Sequence, residues 1–121
     1  MTQKQFNYIL IAQMEMCDVI LRSKGEEYAP DALEDTQRDR LGHFKRAASM
    51  MNITPKAALM GMLSKHLISI SDMCMDKADY PIEKWDEKIT DTINYLFILK
   101  AIVEEESYEK NRSKDSYSRI Y

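Results

Sequence analysis

Apolar residues recur along this chain at three- and four-residue steps, the spacing that lines one face of a helix, and strict alternation is absent. Phe6, Ile9, Leu10, Met14, Cys17, Ile20 and Leu21 form the first such stripe and predict a helix over residues 2–23, with Gly25 as its stop. A connection over 25–33 carries Pro30. The pattern then predicts a second helix over 31–51, with Leu41, Phe44, Ala48 and Met51 on one side and a densely charged, solvated first half at 34–40. Asn52-Ile53-Thr54-Pro55 is the clearest boundary, because Thr54 can cap an orphan amide and Pro55 suits the first helical position. A third helix to about residue 77 follows, its stripe being Leu59, Leu63, His66, Ile70 and Cys74. Tyr80-Pro81 breaks the chain before a fourth helix over 82–106. Residues 1–106 therefore read as a helical-bundle domain and 107–121 as a polar C-terminal tail. Short connections between long helices favour an all-α, four-helix antiparallel bundle.

The fourth helix has two lines of interest. Trp85, Ile89, Leu96, Leu99 and Val103 form its main apolar stripe, and Glu87, Asp91, Asn94, Ile98 and Ile102 lie roughly opposite. A helix apolar on both sides needs two covers, and one small bundle supplies one. The expectation is a homo-oligomer, a dimer first.

Composition narrows the class without changing the architecture. The chain has 121 residues, enough for one core, and only three glycines and three prolines, few for a fold of many short strands. A net charge of −3 with both signs interspersed gives no field for nucleic acid, and no nucleic-acid partner is expected. Cys17 and Cys74 both fall among apolar residues and read as buried free thiols of a reducing compartment. No apolar run is long enough to span a bilayer, and the first ten residues lack a signal-peptide layout, so the expected location is cytoplasmic. Walker loops, Rossmann glycines and a Ser/His/Asp arrangement are missing from the sequence, which sets aside the P-loop and nucleophilic-hydrolase classes.

Polar residues gather beside the core stripes of two helices. Lys65, Ser69, Asp72 and Asp76 share one face of the third, next to His66; Glu87, Asp91 and Asn94 share one face of the fourth. These read either as solvated helix surface or as the two walls of a cleft. Four segments carry a family resemblance: Lys24-x-x-x-Tyr28; Asp39-Arg40-Leu41-Gly42-His43-Phe44-Lys45-Arg46-Ala47-Ala48; Lys65-His66-x-x-Ser69-Ile70; and Glu87-Lys88-Ile89-x-Asp91-x-x-Asn94-Tyr95-Leu96. Over about residues 5–105 the chain resembles the nucleotide modification associated domain 1 family of phages and prophages. That family is in turn similar to the MazG-type all-α nucleotide pyrophosphohydrolases. The resemblance implies a MazG-like helical bundle, oligomerisation and a nucleotide or nucleotide-derived ligand. It also places Lys24 and Tyr28 near the cleft.

One departure bears on the chemistry. MazG-type enzymes hold magnesium with Glu-Glu-x-x-Glu and Glu-x-x-Asp motifs, since a hard cation takes oxygen ligands. Here Lys65-His66-Leu67-Ile68-Ser69 and Lys88-Ile89-Thr90-Asp91 stand in those places, leaving only Asp91 in register and Glu87 one residue out of step. The expected function is binding of a nucleotide or nucleotide-derived signal in an inter-helix polar cleft, with no catalytic residues, no metal ligands and no cofactor. In this reading Lys65 neutralises phosphate, His66 and Ser69 add hydrogen bonds, Asn94 reads a base or ribose edge, and Tyr28 or Phe44 stacks on a base. The ligand-binding set is Lys24, Tyr28, His43, Lys65, His66, Ser69, Asp72, Glu87, Asp91, Asn94 and Tyr95. Two alternatives stay open: a divergent pyrophosphohydrolase with magnesium on a rearranged Asp72, Glu87 and Asp91 site, and a helical oligomer that binds a host protein.

Overall fold

The computed structural model describes residues 1–27 and 39–120, with side chains over 1–25 and 39–114. It contains four helices, α1 (Gln3–Glu27), α2 (Gly42–Met51), α3 (Pro55–Met75) and α4 (Ile82–Ile120), and no strand among the described residues. Thr54 caps α3 as expected: its Oγ1 accepts from the Ala57 N–H at 3.2 Å, and Pro55 takes the first turn. Asn52 ends α2 in the left-handed region (φ 55°), the geometry that lets its N–H and the next amide return to the last helical carbonyls. The result is a tight α2–α3 hairpin.

The core is small and lies between α2, α3 and α4. Leu41, Phe44, Leu59 and Ile102 are buried together, with Met62, Tyr95, Ile98 and Leu99 packed against them. Helix α4 runs opposite to α3, as the Lys56–Glu106 ion pair at one end and the His66–Tyr95 ring contact further along both show. Lys45 ties α2 to the same helix through Glu105 at 2.6 Å.

Among the described helices, α1 packs on α4 alone. Its anchor is Thr90, which is fully buried: Gln13 Nε2 donates to Thr90 Oγ1 at 2.8 Å, and that hydroxyl donates to Met16 Sδ at 3.1 Å. Gln13 also reaches Cys17 Sγ at 3.3 Å.

Several expectations are corrected. Gln13 pairs with Thr90, while Ile20, Leu21 and Lys24 meet Asp91, Asn94 and Ile98, so contacts advance in the same sense along both helices. Helices α1 and α4 are therefore parallel, and the bundle is not antiparallel throughout. Helices α1 and α2 are separated by residues 28–41 in the sequence, too many for the short-loop rule to govern their relative direction. Asp39 is already outside any helix and α2 begins only at Gly42; the earlier part of the helix expected from residue 31 lies outside the described residues. Helix α1 continues through Gly25, and α4 runs on through 107–120, where the expected polar tail is helical backbone continuous with the bundle.

The two lines on α4 are redrawn. Asn94, Ile98 and Ile102 of the second line face inward together with Thr90, whereas Ile89, Leu96 and Val103 of the expected main stripe are exposed and only its Leu99 packs against the core. Phe6, Ile9, Leu10, Met14, Met51 and Cys74 are likewise exposed, so only Cys17 of the two thiols is buried. Among the described residues no helix is long and apolar enough to cross a membrane.

Replacing Thr90 by valine keeps its shape but strands the Gln13 amide in a dry contact. The expected loss of stability is about 1–3 kcal/mol, read by urea denaturation; an unchanged midpoint would show that the α1–α4 seam does not depend on this bond.

Candidate functional site

A cavity of about 130 Å³ opens where α1, the turn leading into α2, α3 and α4 meet. Its wall contains Lys24, Arg40, His66, Asp91, Asn94 and Tyr95, with Phe44 and the aliphatic side chains of Ile20, Leu21 and Ile98 completing it.

Arg40 is held from two sides. Its Nη2 donates to the Leu21 carbonyl at 3.2 Å, adding a second partner to a carbonyl near the C-terminal end of α1, where a cation is favoured by the helix dipole. The guanidinium lies directly on the α1 backbone: a Cβ at Gly25 would sit 2.9 Å from Arg40 Nε. Glycine thus stands inside the helix, without positive φ, beneath the Arg40 side chain, where the sequence alone suggested a stop. On the other side, Asp39 pins the turn. Its Oδ1 accepts from the Leu41 N–H at 3.0 Å and its Oδ2 accepts from Lys45 Nζ at 2.8 Å. The Lys45 ammonium is the main cause holding the Asp39 carboxyl below its ordinary pKa, and the Leu41 N–H adds to it. The reciprocal bonds to Asp39 and then Glu105 raise Lys45. So anchored, Arg40 buries Nη1 with no hydrogen-bond partner among the described residues.

Asn94 is the second unsatisfied group. It lies on the inward line of α4, one turn from Thr90 and one from Ile98, and is 6% exposed. Both its Nδ2 and its Oδ1 are buried without a partner among the described residues. An amide in that state costs about 1–3 kcal/mol relative to a satisfied one. Aromatic rings stand beside it: His66 and Tyr95 are tilted at 39° with centroids 5.0 Å apart, and Phe44 meets Tyr95 edge-on at 6.4 Å.

Of the sequence-derived candidates, the fold brings Lys24, His66, Asp91, Asn94 and Tyr95 to one cavity. Lys65, Asp72 and Glu87 are exposed and Ser69 is half-buried, and none of the four lines it; the polar face of α3 is largely solvated. His43 is exposed, with its ring edge-on to Phe44 at 5.6 Å. Tyr28 lies outside the described residues. Arg40 was missed as a site residue, although it belongs to the Asp39-Arg40-Leu41-Gly42 run; the signal was the pairing of that arginine with a helical glycine at 25. Among the described residues no three His, Cys, Asp or Glu side chains gather as a metal-ligand set. Asp91 is the one carboxylate among the described lining residues, and it shares the cavity with Lys24 and Arg40.

Searches against family models, curated proteins and solved structures gave no match to the chain.

Leucine approximates the shape of asparagine and needs no hydrogen bond. Asn94→Leu is therefore expected to raise the unfolding free energy of the unliganded protein by about 1–3 kcal/mol, measured by chemical denaturation. A drop would mean that the amide is partnered in solution.

Proposed function

We propose that this is a nucleotide-binding protein of phage type, which holds a nucleotide or nucleotide-derived signal in the cavity between α1 and α4 and acts in the host cytoplasm. One observation carries the reading: the carboxamide of Asn94 and the Nη1 of Arg40 are buried without a partner among the described residues, and both residues belong to the wall of the same ring-lined cavity. Natural interiors pair almost all such groups, and an exception beside a cavity is what a site completed by a ligand would leave in the free protein. The electrostatic task first assigned to Lys65 passes to Arg40, whose planar guanidinium suits an oxygen-bearing ligand. Lys24 is exposed while lining the cavity, which sets a second cation where the cavity meets solvent. The reading is of binding rather than magnesium-dependent hydrolysis, because Lys65 and Lys88 stand where the similar enzymes carry carboxylate ligands, and a hard cation takes oxygen ligands.

Titration calorimetry with a panel of nucleotides tests this. Arg40→Ala is expected to weaken binding about tenfold or more, as loss of a charge-assisted hydrogen bond does, while Lys65→Ala leaves the affinity unchanged. If no nucleotide binds, the proposal fails.

The same reading includes a homodimer. Ile82, Ile89, Leu96 and Val103 recur at seven-residue steps along α4 and are 37–65% exposed. An apolar heptad on an uncovered helical face is the pattern by which helices of two chains pack together. Ultracentrifugation is expected to give twice the 14.2 kDa chain mass, and Leu96→Glu, a charge in the middle of the seam, is expected to yield monomers. A monomeric parent protein would exclude this assembly.

A further inference from the structure

Gly25 lies inside α1, where glycine weakens a helix because it loses more backbone freedom on folding than alanine does. A Cβ at that position would lie 2.9 Å from Arg40 Nε, too close to leave the arginine where it is, and its flexible side chain is what would give way. The weak spot in the helix therefore coincides with the place where Arg40 Nη2 reaches the Leu21 carbonyl at 3.2 Å.

The two sides of that contact are held unequally. Arg40 projects from a fixed turn: Asp39 accepts from the Leu41 N–H and from Lys45 Nζ, and Lys45 also reaches Glu105 on α4 at 2.6 Å. Helix α1 is held by less. Among the described helices it meets only α4, with the Gln13–Thr90 bond near its middle. Its inward line then continues through buried Cys17 to Ile20 and Leu21 on the cavity wall. Closing this half of α1 on Arg40 gains a charge-assisted bond at Nη2 but buries Nη1 with no partner among the described residues. The two terms oppose each other and are of the same order, so the contact holds by a small margin.

We infer that Arg40 and Gly25 form a latch. In the folded protein the C-terminal half of α1 swings off α4 about the Gln13–Thr90 seam, which opens the cavity, and closes again on Arg40. Opening returns Nη1 to water, and that offsets the bond lost at Nη2. The motion is a local one of the kind that folded proteins make without unfolding globally. It does not depend on what the cavity binds.

Cys17 reports on the motion. It is 3% exposed and stands one turn past Gln13, on the half that swings, whereas Cys74 is exposed. In the full chain carrying Cys74→Ser, the rate at which an aromatic disulfide reagent labels Cys17 measures opening. Gly25→Ala then separates helix strength from latch strength, because alanine strengthens α1 while its Cβ pushes Arg40 off the Leu21 carbonyl. Arg40→Ala is expected to speed labelling about tenfold. Gly25→Ala is expected to speed it too, yet to slow it about two- to fivefold once Arg40 is already alanine. Urea denaturation of each variant gives the labelling rate that global unfolding alone would allow, and the measured rates are expected to exceed it. Slower labelling in Gly25→Ala alone, an unchanged rate in Arg40→Ala, or rates that follow global unfolding in every variant overturns the latch.

Discussion

Helix α4 has to satisfy three environments around one circumference, and the other described helices are arranged by that demand. One arc, through Leu99, Ile102 and Tyr95, meets the α2–α3 hairpin. A second, through Thr90 and Asn94, meets α1. The third carries Ile89, Leu96, Phe97 and Val103 and meets none of them. A helix packs only as many neighbours as it has apolar or polar-matched stripes, and α4 carries one apolar arc that no other described helix covers. Because α1 touches α4 and no other helix, its position depends on the Gln13–Thr90–Met16 seam and on the cavity wall beyond it. The cavity exists because two elements, Arg40 from the turn before α2 and α1 itself, approach α4 without filling the space between them.

The polar groups in that space run against ordinary folding economy. Proteins are stable by only about 5–15 kcal/mol, so two unsatisfied buried groups consume a noticeable fraction. A purely structural Asn94 would be expected to cap a carbonyl or bridge helices, as Gln13 and Thr90 do one turn earlier on the same seam. It does neither. The contrast between neighbouring positions is informative: in one place the chain pairs its polar side chains with each other, and in the next it leaves an amide buried beside a cavity with no partner among the described residues. The same holds for Arg40, whose Nη2 is satisfied by Leu21 while Nη1 is not.

The helical class, the Thr54-Pro55 start of α3 and the break at Pro81 were all legible in the sequence, because capping and proline sterics act locally. The doubly apolar character of α4 was legible too. Which of its two faces is the core was not, since periodicity measures how a helix divides and says nothing of which neighbour arrives. Gly25 shows the same limit from the other side: helix termination and close approach of another chain segment call for the same residue, and only the position of Arg40 distinguishes them. The candidate site was half legible. Asp91, Asn94, Tyr95 and His66 follow from the order and spacing of helical motifs and Lys24 from the family resemblance, and the fold brings these five to one cavity, whereas Lys65, chosen because it stands where the similar enzymes carry a metal carboxylate, is exposed. Arginine in a charged stretch reads as solvated surface until a carbonyl and a glycine are seen to hold it.

The uncovered seam and the cavity use different sides of one helix. At 100° per residue, Leu96 lies about 200° round from Asn94 and from Ile98. A second copy docked along Ile82, Ile89, Leu96 and Val103 would therefore bury the exposed face without reaching the cavity wall on α4. Its effect on the site would be indirect, through the straightness and rotation of a helix whose inward line carries both Thr90 and Asn94. That gives the assembly a physical reason beyond covering apolar surface. Helix α1 is held by a single partner helix, so fixing that helix from behind also fixes the distance between Asn94 and the Arg40 that rests on α1. Rigid placement of both residues is what a recognition site built on their three unsatisfied atoms would need, because a site that must be ordered at the moment of binding loses affinity in ordering it.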